Sequence, residues 1–211
     1  MTVACLHTAA SNIAVFDEAA NSLAIPATRL SHIVVPHWLE EAEKSGGLTA
    51  EQRARLAGFL RNLTPFFDAI LITCSTLGPV TEDFPDDGPC PVLRTDKMLA
   101  DALHRLPGKS VVLCAAPSTL AATTALFCPP GLAPEQHPEV RLIAGAWEAF
   151  KAGNHARYLS LVAEAAQQAY QLGAENVALA QVSMTPAVRN FPPPRRPLTS
   201  PHLALQHCFG R

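Results

Sequence analysis

The chain has 211 residues, of which 48% are hydrophobic and 16% charged, and a formal net charge of −2. That length allows one domain or two small ones. The near-neutral balance, with Arg195-Arg196 the only basic pair, gives no basis for a nucleic-acid or anionic-membrane partner. No apolar stretch approaches the roughly 20 residues needed to span a bilayer, and no basic segment followed by a long apolar one opens the chain, so a cytoplasmic protein is expected.

Six cysteines stand at positions 5, 74, 90, 114, 128 and 208, with no CxxC spacing. Reduced thiols in an intracellular chain are the simpler reading. Zinc favours ligands in local pairs. Cys5 and His7 share a strand face at i, i+2, and His207 adjoins Cys208, but neither set completes a metal pattern, and no metal is expected.

Residues 3–7 read as a first strand, and Thr8-Ala-Ala-Ser-Asn12 turns out of it. Ser11 is placed to cap the next helix, where Ile13, Phe16, Ala19, Ala20 and Leu23 recur at helical spacing. A strand, a polar turn and a helix in that order put ligand groups at the turn. His7, Thr8, Ser11 and Asn12 are therefore candidates to line a site, with capping or internal hydrogen bonding as the plainer use of each.

Residues 30–35 suggest a second strand, and 37–44 a short amphipathic helix stopped by Gly46-Gly47. Thr49-Ala-Glu-Gln52 is a capping-box pattern. It opens a helix to about residue 63 with Leu56, Phe59 and Leu60 as its apolar stripe. Asp68-Ala-Ile-Leu-Ile-Thr-Cys-Ser-Thr76 then gives a buried strand over 69–73 that ends at Cys74, Ser75 and Thr76, before Gly78-Pro79 breaks it. Ligands of open α/β sheets collect beyond the carboxyl ends of strands. Cys74 is thus the leading candidate for a reactive group, set against the common use of a free cysteine as a small buried hydrophobe.

Segment 81–91 is acidic and rich in Pro and Gly, a surface loop. A short strand over 91–94 leads to a helix over 97–106 that Thr95-Asp96 can cap and Pro107-Gly108 ends. Residues 110–115 form another buried strand, breaking into Ala116-Pro-Ser-Thr119 with Pro117 suited to a first helical turn. A strand over 139–143 and a long helix over 154–172, capped by Gly173, come next. Residues 176–181 are a buried strand ending in Gln181-Val-Ser-Met-Thr-Pro186. Phe191-Pro-Pro-Pro-Arg-Arg-Pro197 reads as a crossover strap into a last helix over 202–208.

Strands alternating with helices argue for mainly parallel sheet. The halves look alike: each has an early strand with a hydroxyl-bearing turn (8–12; Ser118-Thr119) and a late buried strand with a small-polar ending (73–76; 181–185). The expected fold is α/β, with two pseudo-symmetric Rossmann-like lobes and a cleft where strand ends face each other. The lobes are assigned to residues 1–91 plus 198–211 and to 92–197.

On Leu6-His-Thr8 with Asn12, Asp68 through Thr76, Arg94-Thr-Asp-Lys-Met98, Ala116 through Thr119, Val177-Ala-Leu-Ala-Gln-Val-Ser-Met184 and Leu198-Thr-Ser-Pro201, the chain resembles the aspartate/glutamate/hydantoin racemase superfamily. That superfamily also contains arylmalonate decarboxylase and maleate isomerase. The resemblance implies two Rossmann-like lobes with the active site between them, and cofactor-independent chemistry at the carbon next to a carboxylate. It implies two opposed cysteines in the racemases, of which the first maps to Cys74. Gln181 stands where the second is expected.

A glutamine amide has neither a basic site nor an acidic proton in the working range, so Gln181 cannot act as the second acid–base group. Ser183 would need an activating base, and the sequence shows none beside it. The expectation is a single catalytic thiol, Cys74, acting on a small carboxylate in a racemase, isomerase or decarboxylase type of reaction, without a cofactor. His7, Thr8, Asn12, Ser75, Thr76, Ser118, Thr119, Gln181 and Ser183 are the candidate substrate-binding residues. The family implies a homodimer as a possible assembly. A non-catalytic carboxylate-binding protein on the same fold is the alternative.

Overall fold

The computed structural model describes residues 1–85 and 87–210. Asp86, within the acidic segment 81–91, and the terminal Arg211 lie outside the described residues. The chain builds two compact units, one from Met1–Met98 with Pro201–Arg211 and one from Leu99–Ser200.

In the first unit, β1 (Val3–His7), β2 (Leu30–Val34), β3 (Ala69–Ile72) and β4 (Val92–Arg94) form a sheet of order β2-β1-β3-β4. Every neighbouring pair is parallel. The central strands β1 and β3 are buried along their whole length. This is why they read as unbroken apolar runs rather than as alternating ones. Each of Ile70, Leu71 and Ile72 contributes about 1.5–3 kcal/mol by leaving water. Helix α1 (Ser11–Ser22) connects β1 to β2, and α2 (Pro36–Lys44) and α3 (Ala50–Leu63) connect β2 to β3. Trp38, Leu56 and Leu60 from these helices pack with Leu6, Ile70 and Ile72.

In the second unit, β5 (Ser110–Cys114), β6 (Glu139–Leu142), β7 (Asn176–Leu179) and β8 (Leu198–Thr199) form a sheet of order β6-β5-β7-β8, again all parallel. Its helices are α5 (Leu120–Phe127), α6 (Ala146–Lys151) and α7 (His155–Gln171). Tyr158, Val162 and Ala166 of α7 cover Val111, Leu113, Val177 and Leu179. Asn154 caps α7 by accepting from the Arg157 N–H at 3.1 Å, and Gly173 follows it at φ 91°, the left-handed conformation that ends helices. Helix α4 (Thr95–His104) carries the chain into this unit, and α8 (Ser200–Phe209) carries it out.

The two sheets repeat one another. Adding 107 to the bounds of β1 and β3 gives those of β5 and β7, and the strand order is the same in both units. The Thr73 N–H donates to Leu6 O, and at the equivalent place the Ala180 N–H donates to Leu113 O. On this repeat Thr8 corresponds to Ala115, Asn12 to Thr119, and Cys74 to Gln181.

The structure corrects the sequence reading in several places. Strand 92–94, assigned to the second lobe, pairs with β3 and belongs to the first sheet, whereas Leu198-Thr199, assigned to the first, pairs with β7. Edge strands this short take their sheet from long-range pairing, which local sequence does not encode. Ser11 does not cap α1: Ala10 holds the cap position without a side-chain bond, and Ser11 is already helical. Helix α4 starts at Thr95, and the carboxylate of Asp96 is engaged by Arg94 instead of capping. Part of the supposed loop is a 3-10 turn over Gly78–Asp83, another such helix spans Val182–Asn190, and α6 was not foreseen.

Candidate functional site

Strands β1 and β3 are neighbours with Leu6 opposite Ile72. Their next residues therefore emerge side by side at the carboxyl end of the sheet. His7 Nδ1 lies 2.8 Å from Thr73 Oγ1, and the Thr73 hydroxyl donates to Leu6 O at 2.9 Å. One step further along, Thr8 and Cys74 meet. The Thr8 and Thr76 hydroxyls and the backbone N–H groups of Thr76 and Leu77 lie close enough to the Cys74 sulfur to favour its thiolate.

The loop that makes this possible is tight. Leu77 and Gly78 N–H both donate to Cys74 O, at 3.1 and 3.0 Å, which turns the chain back so that its amides face the side chain. Ser75 and Thr76 are buried in the turn. Burial pushes the Cys74 thiol above its ordinary pKa, and the four donors pull it part of the way back. The result is a thiol that holds its proton near neutrality but has a prepared environment for the thiolate.

Arg94 stands behind this loop. It is buried and grips Asp96 with two bonds, Nε to Oδ1 at 2.7 Å and Nη2 to Oδ2 at 2.9 Å. A side chain at residue 78 would meet the guanidinium, its Cβ 2.7 Å from Arg94 Cζ. Glycine is required there by close approach. The Arg94 charge is matched by Asp96.

Asn12 is buried at the start of α1, and its Oδ1 has no hydrogen-bond partner among the described residues. His7 is fully buried with both ring nitrogens engaged, by Thr73 and by His32 Nδ1 at 2.9 Å. Burial, with His32 as a lesser cause, lowers its pKa to about 3, so the ring is neutral.

In the second unit the four candidates fall in three places. Gln181 Oε1 accepts from the Ala115 N–H at 2.5 Å, its Nε2 donates to Thr119 Oγ1 at 3.1 Å, and that hydroxyl donates to Ala116 O at 2.8 Å. Gln181 thus brackets the ends of β5 and β7. Ser183 is bonded to Tyr158 OH at 2.8 Å. Ser118 is half-buried in the turn that precedes α5. Sequence reasoning missed Thr73, His32 and Tyr158. The first two lie just beyond or within strands and have partners set by register, and the third lies inside a helix stripe that reads as core.

The pseudo-duplicated pair of four-stranded parallel sheets defines a class of α/β protein with two repeated units. No protein-family model and no curated protein sequence matches the chain. Solved structures do. The aspartate racemase of Picrophilus torridus superposes with a TM-score of 0.72 at 12% identity, covering 99% of this chain and 94% of that one. A glutamate racemase of Bacillus anthracis gives 0.65 at 13% identity over 99% and 82% of the two chains. The allantoin racemase of Pseudomonas fluorescens gives 0.63 at 14% identity over 100% and 90%. The chain shares the fold of these racemases.

Proposed function

We propose that this protein is a cofactor-independent enzyme of the racemase superfamily, acting at the carbon next to a carboxylate with Cys74 as its single acid–base thiol. The observation that carries this reading is the set of four donors around the Cys74 sulfur. A cysteine used only as a hydrophobe has no need of hydroxyls and amides gathered near its sulfur.

The balance of burial and donors suits a proton donor. In the proposed step, a carbon–carbon bond to a departing carboxylate breaks and carbon dioxide leaves. The electron pair remains as an enediolate on the other carboxyl group. The Cys74 S–H gives its proton to the α-carbon, and the thiolate formed is met by Thr8, Thr76 and the two amides. Donors fixed in advance on a developing charge need no reorganisation. Solvent then returns a proton to the sulfur. Asn12 Oδ1, buried and unpartnered among the described residues, is suited to accept from a substrate N–H or O–H. Two-thiol racemisation is disfavoured because the repeat puts Gln181 at the equivalent position, and an amide cannot exchange protons there.

The test is incubation with a panel of small α-substituted malonates and amino dicarboxylates in D2O. The expected result is release of carbon dioxide with one deuterium placed in a single configuration, lost at least 10³-fold in Cys74→Ala. Turnover that survives Cys74→Ala overturns the reading. Binding without any turnover or α-proton exchange assigns the chain to carboxylate binding alone.

A further inference from the structure

We propose that Cys5, His7 and His32 form a binding site for a first-row divalent cation of the Zn²⁺ type, separate from Cys74. Cys5 and His32 are register partners on the parallel strands β1 and β2, and His7 lies two residues beyond Cys5 on the same face. One nitrogen of each imidazole and the Cys5 Sγ all lie within 4.8 Å of one another.

The hydrogen bonds around the cluster fix which nitrogens are available. The Thr73 hydroxyl gives its proton to Leu6 O, so Thr73 Oγ1 accepts from His7 Nδ1–H. The lone pair of neutral His7 is then on Nε2. On His32, Nε2 lies 3.3 Å from Asp17 Oδ1. An ionised carboxylate only accepts, so His32 Nε2 carries a hydrogen and its Nδ1 carries the lone pair in the neutral ring. These two lone pairs face each other at 2.9 Å. A 2.9 Å contact between ring nitrogens holds either a hydrogen between the rings or, with both lone pairs turned inward, a metal ion.

Three observations favour the metal. First, a thiol completes the cluster, and sulfur with two imidazoles is a donor set for zinc. Second, each ring has its outer nitrogen tied to an oxygen, and the Asp17–His32 pair is the carboxylate–histidine arrangement that orients metal ligands. Third, Cys5 is fully buried, so its sulfur faces no competing solvent. His32 keeps a side-chain exposure of 15%, which leaves a path for entry.

The two imidazoles need little adjustment. Zn–N bonds of about 2.0–2.1 Å at a tetrahedral angle place the two nitrogens roughly 3.3 Å apart. The rings need to open by only a few tenths of an ångström. Three protein ligands leave a fourth position for water.

The experiment uses the full chain, stripped with a chelator, dialysed and titrated with Co²⁺. The expected result is one equivalent per chain, tetrahedral d–d bands, a thiolate-to-cobalt charge-transfer band, and displacement by Zn²⁺. His32→Ala, at a partly exposed position, is expected to weaken binding at least 100-fold, and Asp17→Asn about 10- to 100-fold. Cys5→Ala is expected to abolish the charge-transfer band. If Cys5→Ala does not fold, His32→Ala decides alone. Absence of stoichiometric binding by the stripped protein, or equal binding by His32→Ala, overturns the proposal and leaves a proton shared between the two rings. These readouts do not involve Cys74 turnover, so the two proposals fail separately.

Discussion

Cys74 and Gln181 occupy the same position in two repeated sheets, each at the second residue beyond the third strand of its unit. Their side chains are used in opposite ways. Cys74 collects donors at its sulfur, whereas Gln181 spends its amide on the Ala115 N–H and the Thr119 hydroxyl.

If that bracketing is the main role of Gln181, Gln181→Met keeps its length and removes both bonds. The Ala115 N–H then loses its partner. The expected loss is about 1–3 kcal/mol, the cost of stranding a polar group in a partly buried place. Chemical denaturation measures it. Unchanged stability with altered carboxylate binding would instead make Gln181 a ligand contact.

Alkylation of Cys74 follows its thiolate fraction. Burial, opposed by the hydrogen bonds from Thr8, Leu77 and Thr76, holds the thiol pKa above its ordinary value. The reaction should therefore be slow at neutral pH and accelerate at a pH above that of a free cysteine peptide. Thr8→Val removes a donor to the thiolate and should displace the inflection further upward. Peptide mapping separates Cys74 from the other five cysteines. An inflection below that of the free peptide would show a thiolate-type nucleophile rather than a proton donor.

Gly78→Ala places a Cβ against the Arg94 guanidinium. Although Arg94 is flexible in general, here it is buried and held twice by Asp96. The expected destabilisation is about 1–3 kcal/mol, as for other overpacked sites. The Cys74–Gly78 turn should loosen with it, which hydrogen exchange at the Leu77 and Gly78 amides reads directly.

Thr49 and Gln52 form a reciprocal capping box: the Gln52 N–H donates to Thr49 Oγ1 at 3.2 Å and the Thr49 N–H to Gln52 Oε1 at 2.8 Å. Thr49→Ala should cost about 1 kcal/mol. In a double-mutant cycle with Gln52→Ala, the two losses should be less than additive. Full additivity in thermal unfolding would show that the two bonds act independently.

Local signals were legible where the chemistry is local. The capping box, Gly173 after α7, Pro117 at the first turn before α5 and the apolar strands β1, β3, β5 and β7 all follow from neighbouring residues. The reading lost accuracy at the edge strands β4 and β8, only three and two residues long. Their sheet is decided by backbone partners far away in sequence. It also mistook Ser11 for a cap, because a serine before a helix looks the same whether it stands at the cap or one residue inside.

The sequence by itself determined the alternation of strand and helix, the doubled pattern, and the position of Cys74 at the end of a buried strand. These rest on hydrophobic period and turn chemistry, which act over a few residues. Only the tertiary structure decided what surrounds each side chain. Parallel register set Cys5 beside His32 and brought Thr8 to Cys74, and the same kind of pairing gave the Gln181 amide to Ala115. Such contacts join residues 27 to 66 positions apart. They are fixed by how strands share backbone hydrogen bonds, a cooperative property that no short stretch of sequence carries.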